Sequence, residues 1–139
     1  MKVLIDTNIL LDYLTQREPY FQDVLQVVTA CKGDLQGCIA AHSVSNIFYI
    51  LRHDIPEQER RKLLIAMCQM FDVIGIDQQK LLSALHNQNF KDMEDCLQME
   101  CAVSFGADYI VTRNVKDFVK SSIPVVTPEE FVLILKKGA

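Results

Sequence analysis

Apolar residues follow two rhythms along this chain. Short β-branched and apolar runs at residues 2–5, 37–41, 71–76, 108–112 and 124–126 are bounded by polar or turn residues and predict strands. Longer segments between them carry apolar side chains at helical spacing. One helix is expected from Ile9, behind Asp6. A second begins at Pro19 and is closed by Gly33, in keeping with Pro near a first turn and Gly just past a last one. Ser43 opens a third that runs to about His53. Pro56 starts a fourth, with Leu63, Leu64, Met67 and Met70 on its apolar stripe. Asp77 caps a fifth through about Asn87, and Asp92 opens a sixth that Gly106 ends. Thr127-Pro128-Glu129-Glu130 is a strong start signal, with Thr as the cap, Pro at the first helical position and Glu at the third.

Strands alternating with helices predict an α/β fold, a central mostly parallel five-stranded sheet flanked by helices on both faces. Two helices fall between the second and third strands, room for a crossover or an arm. Composition shifts, repeats and low-complexity tracts are absent, and 139 residues fit one domain with one sizeable core. Half the residues are hydrophobic and 23% are charged, which excludes a disordered chain. No apolar run approaches the roughly 20 residues that span a bilayer, so no membrane partner is expected. Five cysteines without a CxxC pair or zinc spacing read as buried, reduced thiols of a cytoplasmic protein.

The net charge of −4 argues against broad electrostatic adhesion to nucleic acid. Local basic clusters exist at Arg52-His53, Arg60-Arg61-Lys62 and Arg113, Lys116, Lys120. Charge runs on helices are more often solvated faces than binding surfaces, so these matter only beside other signs.

Those signs are carboxylates and amides at strand edges. Asp6 follows the first strand directly. Asn46 is expected in the first turn of the helix after the second strand. Asp92 and Asp95 open the helix that feeds the fourth strand and, three residues apart, share a face. Asn114 and Asp117 follow the fourth strand. In a doubly wound sheet, strand ends and the starts of the following helices crowd one edge, where ligands bind. Hard divalent cations take oxygen ligands and activate water for attack on a phosphodiester. Each residue has a plainer role open to it: Asp6 and Asp92 as helix caps, Asp117 in a short turn, Asn46 in a local hydrogen bond. Capping does not explain three strand-edge positions at once. The three histidines are not spaced as ligands, Ser43 and Ser45 lack a recognisable histidine partner, and no Gly-rich phosphate loop is present.

Val3-Leu-Ile-Asp6-Thr-Asn8-Ile-Leu resembles the first motif of PIN-domain nucleases. Asp92-Met-Glu-Asp95-Cys-Leu-Gln, followed by Gly106-Ala-Asp-Tyr-Ile-Val-Thr-Arg-Asn114-Val-Lys-Asp117-Phe118, is similar to the family's third and fourth motifs. The resemblance spans essentially the whole chain. It implies a Rossmann-like sheet, an acidic Mg²⁺ or Mn²⁺ site, cleavage of RNA, and often a homodimer. Many small prokaryotic members are ribonuclease toxins held by an antitoxin protein. Carried over by position, Asp6, Asp95 and Asp117 would be catalytic and hold the metal. Asn114, Asn46 and Asp92 would complete its surroundings. Thr7 and Asn8 would shape the substrate pocket, and Arg113 and Lys116 would contact phosphate. The departure is Asn46, where the family usually has Glu, which leaves a catalytically weak or inert RNA- or protein-binding module as the alternative. A haloacid-dehalogenase-type phosphatase also opens on a strand ending in Asp, but that chemistry wants a second acid where Asn8 stands.

Overall fold

The computed structural model describes residues 1–138. Five strands, β1 (Lys2–Ile5), β2 (Gln36–Ala40), β3 (Asp72–Ile74), β4 (Tyr109–Val111) and β5 (Val125–Val126), form one sheet in the order β3-β2-β1-β4-β5. Every pairing is parallel, so the sheet is wholly rather than mostly so. Seven helices accompany it: α1 (Thr7–Thr15), α2 (Phe21–Cys31), α3 (Ala41–Ile50), α4 (Glu57–Met70), α5 (Gln78–His86), α6 (Met93–Phe105) and α7 (Pro128–Gly138).

The period of two along the strands divides the core. Val3, Ile5, Ile39, Val111 and Val126 face a layer built from α1, α2, α3, α4 and α7, with Ile9, Val27, Ile47, Met67 and Phe131 at its centre. Leu4, Cys38, Ala40, Ile110 and the side chain of Phe118 face α5 and α6 on the other side. Strands buried on both faces explain why their sequence reads as continuous apolar runs rather than alternation. The helix pair α3 and α4 makes the crossover between neighbouring strands β2 and β3, and packs on the core rather than forming an arm.

Most helix ends follow their sequence signals. Thr127 and Glu130 form a reciprocal capping box, Glu130 N donating to Thr127 Oγ1 at 3.2 Å and Thr127 N to Glu130 Oε1 at 3.0 Å. Gly106 closes α6 at φ +77°, a conformation that L side chains avoid. Three details differ. α1 starts at Thr7 rather than Ile9, because Asp6 itself caps it. α2 starts at Phe21, since Tyr20 N is held in a turn by Arg17 O. α3 starts at Ala41, so Asn46 lies in its second turn rather than its first. Of the five cysteines, all free, Cys31, Cys38, Cys96 and Cys101 are buried as expected, but Cys68 is exposed on α4.

The element that positions the site is β1. It lies between β2 and β4, where the strand order reverses, and chain segments leave its carboxyl end and that of β4 side by side.

Candidate active site

Asp6 is the first residue beyond β1. Its backbone N–H donates to Val111 O at 3.0 Å, tying it to the end of β4. One carboxylate oxygen caps α1 by accepting from Thr7 N at 2.8 Å. Capping therefore accounts for half of the group. The other oxygen accepts from Thr112 Oγ1 at 2.7 Å and from Asn8 Nδ2 at 3.3 Å. These donors are neutral, and the side chain is held in one place at 5% exposure. Burial raises its pKa, the Thr112 and Thr7 hydrogen bonds oppose that rise, and the charges of Asp117 and Asp92 add to it.

Asp95, in the first turn of α6, is half-buried and faces the same space. Burial, then the charges of Asp6, Asp92, Asp117 and Glu94, push its carboxyl from an ordinary 3.8 up to about 7. Asp92 is the N-cap of α6, accepting from Glu94 N at 2.7 Å. Asp117 sits in the 3₁₀ turn Val115–Phe118 behind β4. Asp6 and Asp95 share a cleft of about 200 Å³ whose walls include Thr7, Asn8, Asn46 and Asn114. Asp95 also borders a neighbouring cleft of about 460 Å³ with Asp92, Asp117, Lys116 and Lys91. The two spaces meet at Asp95, so the expected carboxylates gather on one sheet edge.

The acids of this edge take no ion-pair partner among the described residues, although Lys91 and Lys116 border the larger cleft. The three ion pairs among the described residues lie elsewhere. No three His, Cys, Asp or Glu side chains among the described residues stand close enough to enclose an ion by themselves. The donor set still suits a hard divalent cation, which takes one or two carboxylates and fills its remaining positions with water and substrate oxygens. Asn46 lines the Asp6 cleft with a neutral amide, so it lies where it could complete such a shell but brings no charge.

The remaining expected residues divide. Asn8 braces Asp6 and lies near Thr112 Oγ1, at 3.4 Å. Thr7 turns its hydroxyl to Ser43 Oγ at 2.7 Å. Lys116 borders the larger cleft. Arg113 does not face the acids. Its Nε donates to Asp12 Oδ2 at 2.6 Å, its Nη2 to Asp12 Oδ1 at 3.3 Å, and its guanidinium lies over the Tyr20 ring at 4.3 Å. A wholly buried Asp12 on α1 captures it, a partner that no local pattern announces.

Four contributors escaped the sequence reading. Thr112 orients Asp6 and also receives Asn114 N at 3.0 Å. Gln98, only 2% exposed, donates Nε2 to Thr7 Oγ1 at 3.1 Å and to Ser43 Oγ at 2.9 Å, pinning the starts of α1, α3 and α6 together. Gln98 stands three residues after Asp95, so the shared helix face was the available signal. His42 also lines the Asp6 cleft, with burial lowering its pKa; both its ring nitrogens and Gln98 Oε1 lack hydrogen-bond partners among the described residues. Lys91 borders the larger cleft.

An all-parallel doubly wound sheet with acids gathered at its switch point defines a Rossmann-like α/β protein. A PIN domain family model matches residues 2–116, and the chain belongs to the PIN-domain family. It is 26% identical over 140 residues to the ribonuclease VapC1 of Aquifex aeolicus (strain VF5), covering 94% of this chain and 92% of that protein. Among solved structures, it resembles a chain of a toxin–antitoxin complex from Klebsiella pneumoniae, with a TM-score of 0.68 and 28% identity, covering 91% of this chain and 97% of that one. It shares its fold with a chain of VapBC-1 from nontypeable Haemophilus influenzae, with a TM-score of 0.69, 15% identity, and coverage of 93% and 99%.

Proposed function

We propose that this protein is a divalent-metal-dependent endoribonuclease and the toxin of a toxin–antitoxin pair. The observation that carries the chemistry is the gathering of Asp6, Asp95 and Asp117 on one edge with no ion-pair partner among the described residues, where burial and mutual repulsion push the Asp95 carboxyl up to about 7. A ribonuclease relative and a toxin–antitoxin neighbour support the substrate and the antitoxin partner.

Asp6, Asp95 and Asp117 are the residues that would hold Mg²⁺ or Mn²⁺, directly or through water, with the amide oxygens of Asn46 and Asn114 and the carboxylate of Asp92 nearby. Such an ion supplies Lewis acidity and neutralises phosphate charge when bound. The chain's own contribution is positioning. Thr112 and Asn8 fix the Asp6 oxygens, the Gln98–Ser43–Thr7 cluster keeps three helix starts in register, and Lys116 offers a charge to a phosphate. Burial of Asp6 strengthens every electrostatic contact it makes.

The test has two readouts. Mg²⁺ or Mn²⁺ should raise the melting temperature of the wild-type protein, because a ligand bound only by the folded state stabilises it. The same ions should support cleavage of RNA, and Asp6→Asn should abolish both effects. Equal metal shifts in both proteins would remove Asp6 from the metal's surroundings. A second reading, an RNA- or protein-binding module with little turnover, is favoured by neutral Asn46 in the cleft wall. It predicts metal-independent RNA binding with no cutting.

A further inference from the structure

The acidic cleft opens along one face of α3. His42, Asn46 and Ile50 follow one another at four-residue intervals and line it. Tyr49, three residues after Asn46, stands at the edge of that face, outside the cleft's own lining. Tyr49 is 63% exposed and Ile50 47%, so neither side chain is spent on the core. Arg52, in the 3₁₀ turn that follows α3, lies with its guanidinium carbon 3.7 Å from the centroid of the Tyr49 ring. Its Nη1 donates to Tyr49 O at 2.8 Å, which holds the stacked pair in place. Among the described residues no acid pairs with Arg52; the ion pair of this region joins Arg61 to Glu57 instead. Lys91 and Lys116 border the neighbouring cleft, which shares Asp95 with this one.

We propose that Tyr49 and Arg52 form a stacking platform for an unpaired base of single-stranded RNA beside the cleaved bond, an inference that rests on the nuclease reading above. The platform lies roughly 5–9 Å along the helix axis from Asn46, a reach suited to a neighbouring nucleotide. A stacked guanidinium and phenol receive any base face, whereas a duplex keeps its base faces hidden. A polyanion approaching a chain of net charge −4 also needs local positive charge to reach the acids. Arg52 and the two lysines of the neighbouring cleft supply it, and a strand running from one cleft to the other passes Asp95, which they share.

The probe is a fluorescein-labelled single-stranded oligoribonucleotide of roughly 10 nucleotides, bound in EDTA so that no cutting intervenes. Tyr49→Ala should weaken binding about five-fold or more, Tyr49→Phe should keep the wild-type affinity, and Arg52→Gln should weaken binding and flatten its salt dependence. On an abasic strand of the same length, Tyr49→Ala and wild type should bind alike, which loss of folding would not produce. Wild-type affinity of Tyr49→Ala for the intact strand overturns the platform. So does a Tyr49→Ala protein whose only change is from dimer to monomer, since the face then covers a second copy. The two readings separate cleanly: a wild type that binds with this pattern but never cuts with Mg²⁺ or Mn²⁺ retires the nuclease and keeps the platform, and one that neither binds nor cuts retires both.

Discussion

Arg113→Met should damage the stability of this protein and leave its chemistry intact. The guanidinium is the partner of Asp12, a carboxylate with no exposed surface, and only 22% of the Arg113 side chain reaches solvent. Removing one member of a buried pair strands the other, at a cost of about 3–5 kcal/mol. Arg113 also borders a cleft of about 430 Å³ with Tyr20 and Pro128, so loss of the guanidinium opens a way for water toward the carboxylate and the lower end applies, about 3 kcal/mol. For a chain of this size that is a fall of roughly 10–15 °C in Tm. Asp12→Leu combined with Arg113→Met removes both charges and should recover most of the loss, because apolar replacement of a buried pair is often neutral. The assay is thermal and urea unfolding of the four proteins of the cycle, with RNA cleavage measured well below every transition. An Arg113→Met protein that melts like the wild type but shows a raised KM for RNA would refute this account and return Arg113 to the substrate.

Asn46→Glu should bind Mn²⁺ about ten-fold more tightly and cut RNA faster, since hard cations gain more from an anionic oxygen than from an amide; metal titration and cleavage at matched salt decide it, and no change in either would mean that the amide does not face the ion. In metal-free protein, Asp95 has a native pKa raised from 3.8 to about 7, so the native state holds the proton more firmly than the unfolded chain. That contribution is full below about pH 4 and is lost as pH rises through about 7. Asp95→Asn should therefore flatten the fall of Tm across that window, and parallel curves for the two proteins would contradict the burial and repulsion assigned to it. Gly37→Ala places a Cβ 2.7 Å from Cys31 Sγ and 3.0 Å from a Phe71 ring carbon. Overpacking of this kind should cost about 1–3 kcal/mol in urea unfolding, and an unchanged midpoint would show that the ring can move aside.

Much of the fold was legible because burial on both sheet faces writes strands as apolar runs, and because Asp77, Asp92, Gly106 and Thr127 mark helix ends chemically. The acids were legible for a related reason. Asp6 and Asp117 stand just beyond strands, Asp95 opens the helix that feeds β4, and their motifs carry a family resemblance. What was not legible depends on contacts across the chain. Arg113 reads as a phosphate ligand until Asp12, a hundred residues earlier, is seen to hold it. Gln98, Ser43 and Thr112 are common polar residues whose value comes only from meeting one another and Asp6. Asn46 shifted by a helical turn because the β2–α3 junction carries no capping side chain to mark it.

The placement of β1 at the middle of the sheet has a consequence in time. Asp6 leaves the ribosome more than a hundred residues before its neighbours Thr112 and Asp117. At about 5–20 residues per second, the interval is roughly 5–20 s. Until then β1 has one sheet neighbour to pair with and an open flank where β4 will lie. A nascent chain therefore carries its first acid for seconds without the residues that orient it. Whatever the finished edge does, the Thr112 hydrogen bond that orients Asp6 waits until β4 has been made.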